Sequence, residues 1–139
     1  MRLYGFGGAV CGAILLVAGD AYAGDPPLDC KNAVTQTDLN ICAGRDYEAA
    51  DKELNDQYKK TRATMVTWDS QLEGNLKGAE KALVKAQRAW IDYRDGQCAA
   101  EGFQARGGTL ESMLVGQCKA KLTRQRTKEL ADLADGLEK

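Results

Sequence analysis

Gln87, Trp90, Arg94 and Cys98 follow one another at steps of three, four and four residues. In a helix of about 3.6 residues per turn, that spacing keeps all four on one stripe. Leu83, Ala86 and Ile91 lie on or beside the same stripe, so it is expected to face a core. An amide, an indole, a guanidinium and a thiol on a core-facing stripe narrow the folds open to the chain. Gln87 and Arg94 need hydrogen-bond partners from neighbouring elements, or a surface where something binds them. The stripe reads as a structural polar network closed by a disulfide.

Residues 1–23 read as a cleaved export signal. Arg2 is a short basic start, Ala9 to Val17 form an apolar run, and Ala21-Tyr22-Ala23 has the small-x-small pattern of a signal-peptidase site. The run is too short and too glycine-rich for a membrane span of about 20 residues. Cys11 lies inside the run and lacks a lipobox before it, so no stable membrane anchor is expected after cleavage. The product, residues 24–139, is expected to be a single periplasmic or secreted domain. It keeps four of the five cysteines, Cys30, Cys42, Cys98 and Cys118. An even number in an exported chain points to two disulfides. Three pairings are open, and the local ones, Cys30 with Cys42 and Cys98 with Cys118, are favoured because each pair brackets a turn between helical pieces. Loops of these lengths contribute roughly 3 kcal/mol each in the chain-entropy model. A zinc site is disfavoured, since there is no C-x-x-C pair and no histidine.

Runs of β-branched residues with period-two alternation are absent, and long segments show helical spacing. A short leading helix is expected from a Thr37 cap to Gly44. A longer one follows from Asp46 to about Thr67, with Tyr47, Ala50, Leu54, Tyr58, Thr61 and Met65 along one face. The polar stretch Trp68 to Gly78 holds the bend. A third helix spans about Ala79 to Ala99, with Leu83, Ala86, Trp90 and Tyr93 apolar. The last opens at Thr109 and Ser112 and carries Leu110, Met113, Leu114, Val115, Cys118, Leu122, Leu130, Leu133 and Leu137. Its basic run, Lys121, Arg124, Arg126 and Lys128, reads as a solvated face. The fold class is therefore all-α: a small, disulfide-stapled bundle of three long helices plus a short N-terminal one.

Without histidine, the commonest general acid-base and the Ser-His and Cys-His nucleophile arrangements are unavailable. Acid pairs such as Glu48 with Asp51 sit at ordinary surface spacing, and no glycine-rich loop follows a strand. An enzyme is not expected, nor a cofactor. A net charge of −1, unchanged when Arg2 and Asp20 leave with the signal, lacks the basic excess that marks nucleic-acid binding. A second constellation, Asp51, Leu54, Asn55 and Tyr58, lies on the second helix. If the second and third helices pack side by side, Asp51 is a natural partner for Arg94. Tyr58 then packs near Trp90, with its hydroxyl toward Gln87 or water.

Cys30 with Gln36-Thr37-Asp38-Leu39-Asn40-Ile41-Cys42 opens an ordered set of residues. Asp51, Leu54-Asn55 and Tyr58 continue it, followed by Gln87-Arg88-Ala89-Trp90, Arg94 and Cys98. Gly107-Gly108-Thr109, Cys118, Leu122-Thr123, Arg126 and Leu130 complete it. In this set the chain resembles the LprI-type lysozyme-inhibitor family. The resemblance implies a small helical, disulfide-bonded periplasmic domain, in which Asp51, Leu54, Asn55, Tyr58, Gln87, Trp90 and Arg94 maintain the fold. It also implies a protein partner, a lysozyme-type muramidase. Such an inhibitor would plug a carboxylate-lined cleft with a loop and oppose its basic rim with acids. The segments Ala100 to Gly108 and Trp68 to Asn75 are the candidate plugs, with Trp68, Asp69, Glu73 and Glu101 as candidate contacts, although Arg106 has the wrong sign for a basic rim. The alternative is a non-enzymatic envelope structural or adaptor module that binds another protein through a helix face.

Overall fold

The computed structural model describes residues 28–136. The expected export signal, residues 1–23, and Leu137 lie outside the described residues. Three long helices follow: α1 Gln36–Ser70, α2 Ala79–Gly102 and α3 Glu111–Asp135. No strand occurs among the described residues, and none of their helices is long and apolar enough to cross a membrane. The expected short leading helix does not exist separately, because α1 runs unbroken for 35 residues. Its cap is Thr35 rather than Thr37: the Thr35 hydroxyl accepts from the Asp38 N–H at 3.1 Å. Gly44 does not stop the helix, since a lone interior glycine costs only about 1 kcal/mol. Ala43 beside it is buried against Gly116 of α3, and Ala50 farther along is buried as well. Asp46, the expected second cap, pairs instead with Arg124 of α3 through both carboxylate oxygens.

The bend between α1 and α2 contains a 3-10 turn, Gly74–Leu76, and places Gly74 and Gly78 at φ of 56° and 143°. Gly78 precedes α2 and has no side chain to cap it, so the cap comes from the end of α1. The Asp69 carboxylate accepts from the N–H groups of Gly78, Ala79 and Glu80 at 2.7, 2.9 and 3.1 Å. At the far end, α2 leads into a 3-10 turn, Phe103–Ala105, and α3 begins at Glu111 without the side-chain cap expected from Thr109 and Ser112.

Pairwise contacts set the topology. Asn40 Nδ2 donates to the Thr109 carbonyl at 2.9 Å near the start of α1, and the buried Thr61 hydroxyl donates to the Leu130 carbonyl at 2.8 Å farther along. These contacts place α1 and α3 parallel. Arg62 meets Glu80 and Asp51 meets Arg94, so α2 runs antiparallel to α1 between them. The product is an up-down-up bundle. Its apolar core, Leu54, Met65, Leu83 and Leu130, lies toward the α1–α2 bend, covered by Tyr58, Trp68, Ala79 and Trp90. Burying each large side chain contributes roughly 1.5–3 kcal/mol.

Toward the other end the residues are small. A Cβ built at Gly116 would lie 3.1 Å from Ala43 Cβ and 3.2 Å from its carbonyl carbon, so α1 and α3 approach there almost backbone to backbone. The disulfides Cys30–Cys42 and Cys98–Cys118 take the favoured local pairing and staple this end. In α2 the inward stripe is Leu83, Gln87, Trp90, Arg94 and Cys98. Ala86, Ile91 and Tyr93 turn outward, contrary to the expected apolar face. The buried polar stripe, not the most apolar positions, fixes the rotation of this helix.

Candidate functional site

Arg94 occupies the centre of the seam between the helices and is 5% exposed. Its Nη1 donates to Asp51 Oδ1 of α1 at 3.2 Å and lies 3.5 Å from Thr123 Oγ1 of α3, while Nε donates to Asp95 Oδ1 at 2.9 Å. The guanidinium carbon lies 5.2 Å from the Tyr47 ring centroid and 5.1 Å from that of Trp90. Further cations lie near the same rings, Lys119 at 5.6 Å from Tyr47 and Arg126 at 6.0 Å from Trp90. Arg94 and Lys119 share Asp95 Oδ1, which draws two cations together beside the Tyr47 ring. Burial alone would push Arg94 below its ordinary value, but hydrogen bonding to Asp95 and Asp51 outweighs it and the net shift is upward. Burial likewise pushes Asp95 up, and bonds from Arg94 and Lys119 more than reverse it.

The expected Asp51–Arg94 pair is present, with Asn55 donating to the second Asp51 oxygen at 2.8 Å and holding the carboxylate in place. Leu54 is core, and Tyr58 and Trp90 pack against the core cluster. Gln87 meets Arg126 rather than Tyr58: Arg126 Nε donates to Gln87 Oε1 at 3.1 Å and Nη1 to Glu129 at 3.0 Å. The basic run of α3 is thus not one solvated face. Arg124 and Arg126 bind across to α1 and α2, whereas Lys128 pairs locally with Asp132. The signal for Arg126 was its place between buried Thr123 and Leu130, at helical steps of three and four. No buried side-chain nitrogen or oxygen among the described residues lacks a partner. A seam closed in this way fixes helix register.

The candidate contact residues fall into two groups. Trp68 is half-buried against the core, and Asp69 caps α2, so both serve the fold of the α1–α2 bend. Glu73 is exposed in that bend and Glu101 half-buried at the end of α2. The α2–α3 loop is different. Phe103 is 61% exposed there, with the Arg106 guanidinium over its ring at 4.7 Å. Arg106 Nη1 donates to Glu111 Oε1 at 2.6 Å, and the Gly107 N–H donates to Glu111 Oε2 at 3.0 Å. The Gly107 N–H, with Arg106 beside it, holds the Glu111 carboxyl below the usual range. Gly107 takes φ of 79°, which favours glycine. At Gly102 an added Cβ would fall 2.6 Å from Val115 Cγ2, so the loop leaves α2 tight against α3. The Cys98–Cys118 bridge closes beneath it, and Asn40 holds the Thr109 carbonyl. Beside the loop, an open groove of about 550 Å³ is lined by Asn40, Tyr47, Thr109, Val115 and Lys119, among others. Phe103 lies inside the candidate plug Ala100 to Gly108 but was not singled out there, because hydrophobicity alone does not mark a ring that stays exposed.

Comparison with known proteins adds a family. The model of the family described as lysozyme inhibitor LprI matches residues 29–130, a span containing both disulfides, the seam and the loop. An uncharacterized protein of Rhizobium meliloti (strain 1021) is 52% identical over 128 residues, 90% of this chain and 92% of the relative. No solved structure matches.

Proposed function

Because the chain belongs to the lysozyme inhibitor LprI family, we propose that it is a non-catalytic, exported binding protein that blocks a lysozyme-like muramidase by presenting its α2–α3 loop to the enzyme's cleft. Two disulfides fit an oxidising compartment such as the periplasm or the extracellular space. The observation that carries the reading is Phe103, an aromatic side chain 61% exposed on a loop held at both ends. Exposing a large ring to water costs the free chain, and fixing the loop beforehand removes ordering entropy from the binding step. The other candidate plug, the α1–α2 bend, uses Trp68 and Asp69 for core cover and helix capping. Glu101 sits just before the loop, where a basic cleft rim would meet it.

The test is a titration of the purified mature chain against c-type and g-type lysozymes in a cell-wall lysis assay. Saturable inhibition near equimolar ratio, lost when Gly102 to Thr109 is replaced by a glycine-serine linker of equal length, is the expected result. Undiminished lysis by every enzyme at a large molar excess overturns the reading and leaves the envelope adaptor role in its place.

A further inference from the structure

We infer that Arg106 is the inhibitory group itself, its guanidinium seated on the two catalytic carboxylates of the muramidase with Phe103 beside it in the sugar-binding cleft. This rests on the muramidase reading above and names the chemistry of the contact. A positive charge looks wrong for an enzyme with a basic rim, but the floor of a glycosidase cleft carries a pair of acids. In retaining enzymes these lie about 5–5.5 Å apart, a gap that a planar guanidinium with five donors can span.

The loop is built to present such a group. Arg106 already binds a carboxylate, that of Glu111, through Nη1 alone, and its side chain remains 64% exposed, so further donors are open to a partner. Glu111 is itself tied to the Gly107 N–H, which keeps the carboxylate on the loop and holds Arg106 in one direction. The stack of Arg106 on Phe103 at 4.7 Å keeps the guanidinium plane and the ring together as one projecting unit. A flat aromatic and a fork of N–H donors are the features that match a cleft shaped for a sugar ring between two acids. Glu101 near the end of α2 and Glu111 at the start of α3 flank the loop, where they would meet the basic rim as the loop enters.

The experiment compares wild type with Arg106→Gln, Arg106→Lys and Phe103→Ala against a lysozyme that the wild type inhibits, using lysis and calorimetric titration together. Both positions are exposed, so circular dichroism should match wild type and the denaturation midpoint should change little. The half-inhibitory concentration should rise at least tenfold for Arg106→Gln and Phe103→Ala and by less for Arg106→Lys. Tri-N-acetylchitotriose should compete with the wild-type chain. Replacing the muramidase's general acid by its amide should weaken wild-type binding but leave Arg106→Gln binding unchanged. Inhibition by Arg106→Gln equal to wild type, or binding indifferent to the sugar, overturns this assignment while sparing the parent reading. A wild-type chain that slows no muramidase overturns both.

Discussion

Deleting the Arg94 guanidinium would leave Asp51 and Asp95 without their shared cation and open a gap between the Tyr47 and Trp90 rings. Both losses act on the same site, the first electrostatic and the second a packing defect. Arg94→Ala is expected to lower the unfolding free energy by about 3 kcal/mol, read from urea denaturation. Arg94→Lys should recover less than half of that, because an ammonium cannot direct donors to Asp51, Asp95 and Thr123 while also packing near both rings. A loss below about 1 kcal/mol for the alanine variant would mean the seam is dispensable. The Asp51–Arg94 pair could be read from the sequence because each residue lies on the helical stripe that faces the other. Its neighbour, the Arg126–Gln87 bond, was not read there, because the run of cations reads by composition as a solvated face and only the helical spacing from Thr123 and Leu130 separates Arg126 from it. Phe103 escaped for the converse reason: hydrophobicity predicts burial, and a ring kept in water is visible only in three dimensions.

At the scale of elements, glycine has opposite meanings at two positions that one-dimensional rules treat alike. Gly44 lies inside α1 with nothing within 4 Å of a built Cβ, whereas Gly116 lies inside α3 against the backbone of Ala43. Gly44→Ala should therefore stabilise by about 0.5–1 kcal/mol, chiefly by restricting the unfolded chain, and raise the melting temperature by about 4 °C. Gly116→Ala should destabilise by about 1 kcal/mol or more, because α1 has to move for the methyl group to fit. Thermal melts of the two variants check both signs, and equal shifts would refute the close α1–α3 approach. This also explains the misread N-terminus. Gly44 followed by Asp46 has the form of a helix stop and a new cap, yet the packing of Ala43 on α3 and the Asp46–Arg124 pair outweigh that local preference. The bend before α2 was legible from Gly74 and Gly78. The cap reaching back from Asp69 was not, because it joins residues nine to eleven apart through a turn whose path the sequence leaves open.

For the molecule as a whole, the number of long helices and their order followed from spacing, and the local disulfide pairing was the favoured one of three, while the parallel pairing of α1 with α3 required the contacts between them. The same contacts decide how the fold responds to acid. No histidine is present, so no imidazole changes charge between about pH 5 and 8, and stability should stay nearly flat across that range. Below it, several carboxyls titrate lower in the folded chain than their ordinary values of 3.8 for aspartate and 4.5 for glutamate. Asp46 is held down by Arg124, Asp69 by the three N–H groups of α2, and Glu111 by Gly107 and Arg106. At Asp95, bonds from Arg94 and Lys119 overcome the upward push of burial. As pH falls through those ordinary values, the unfolded chain takes up protons before the folded one does, so each group's contribution is complete above them and disappears below its own lowered value. The denaturation midpoint should therefore hold from pH 8 to 5, begin to fall near pH 4 and keep falling toward pH 2. Asp69→Asn supplies the internal control. Its neutral amide offers one weaker acceptor in place of a carboxylate gripping three N–H groups, so its midpoint should lie below wild type at pH 7. The gap between the two curves should narrow as acid protonates Asp69 below its ordinary value of 3.8, and a gap that stays undiminished however far the pH is lowered would show that the Asp69 charge is not what holds the start of α2.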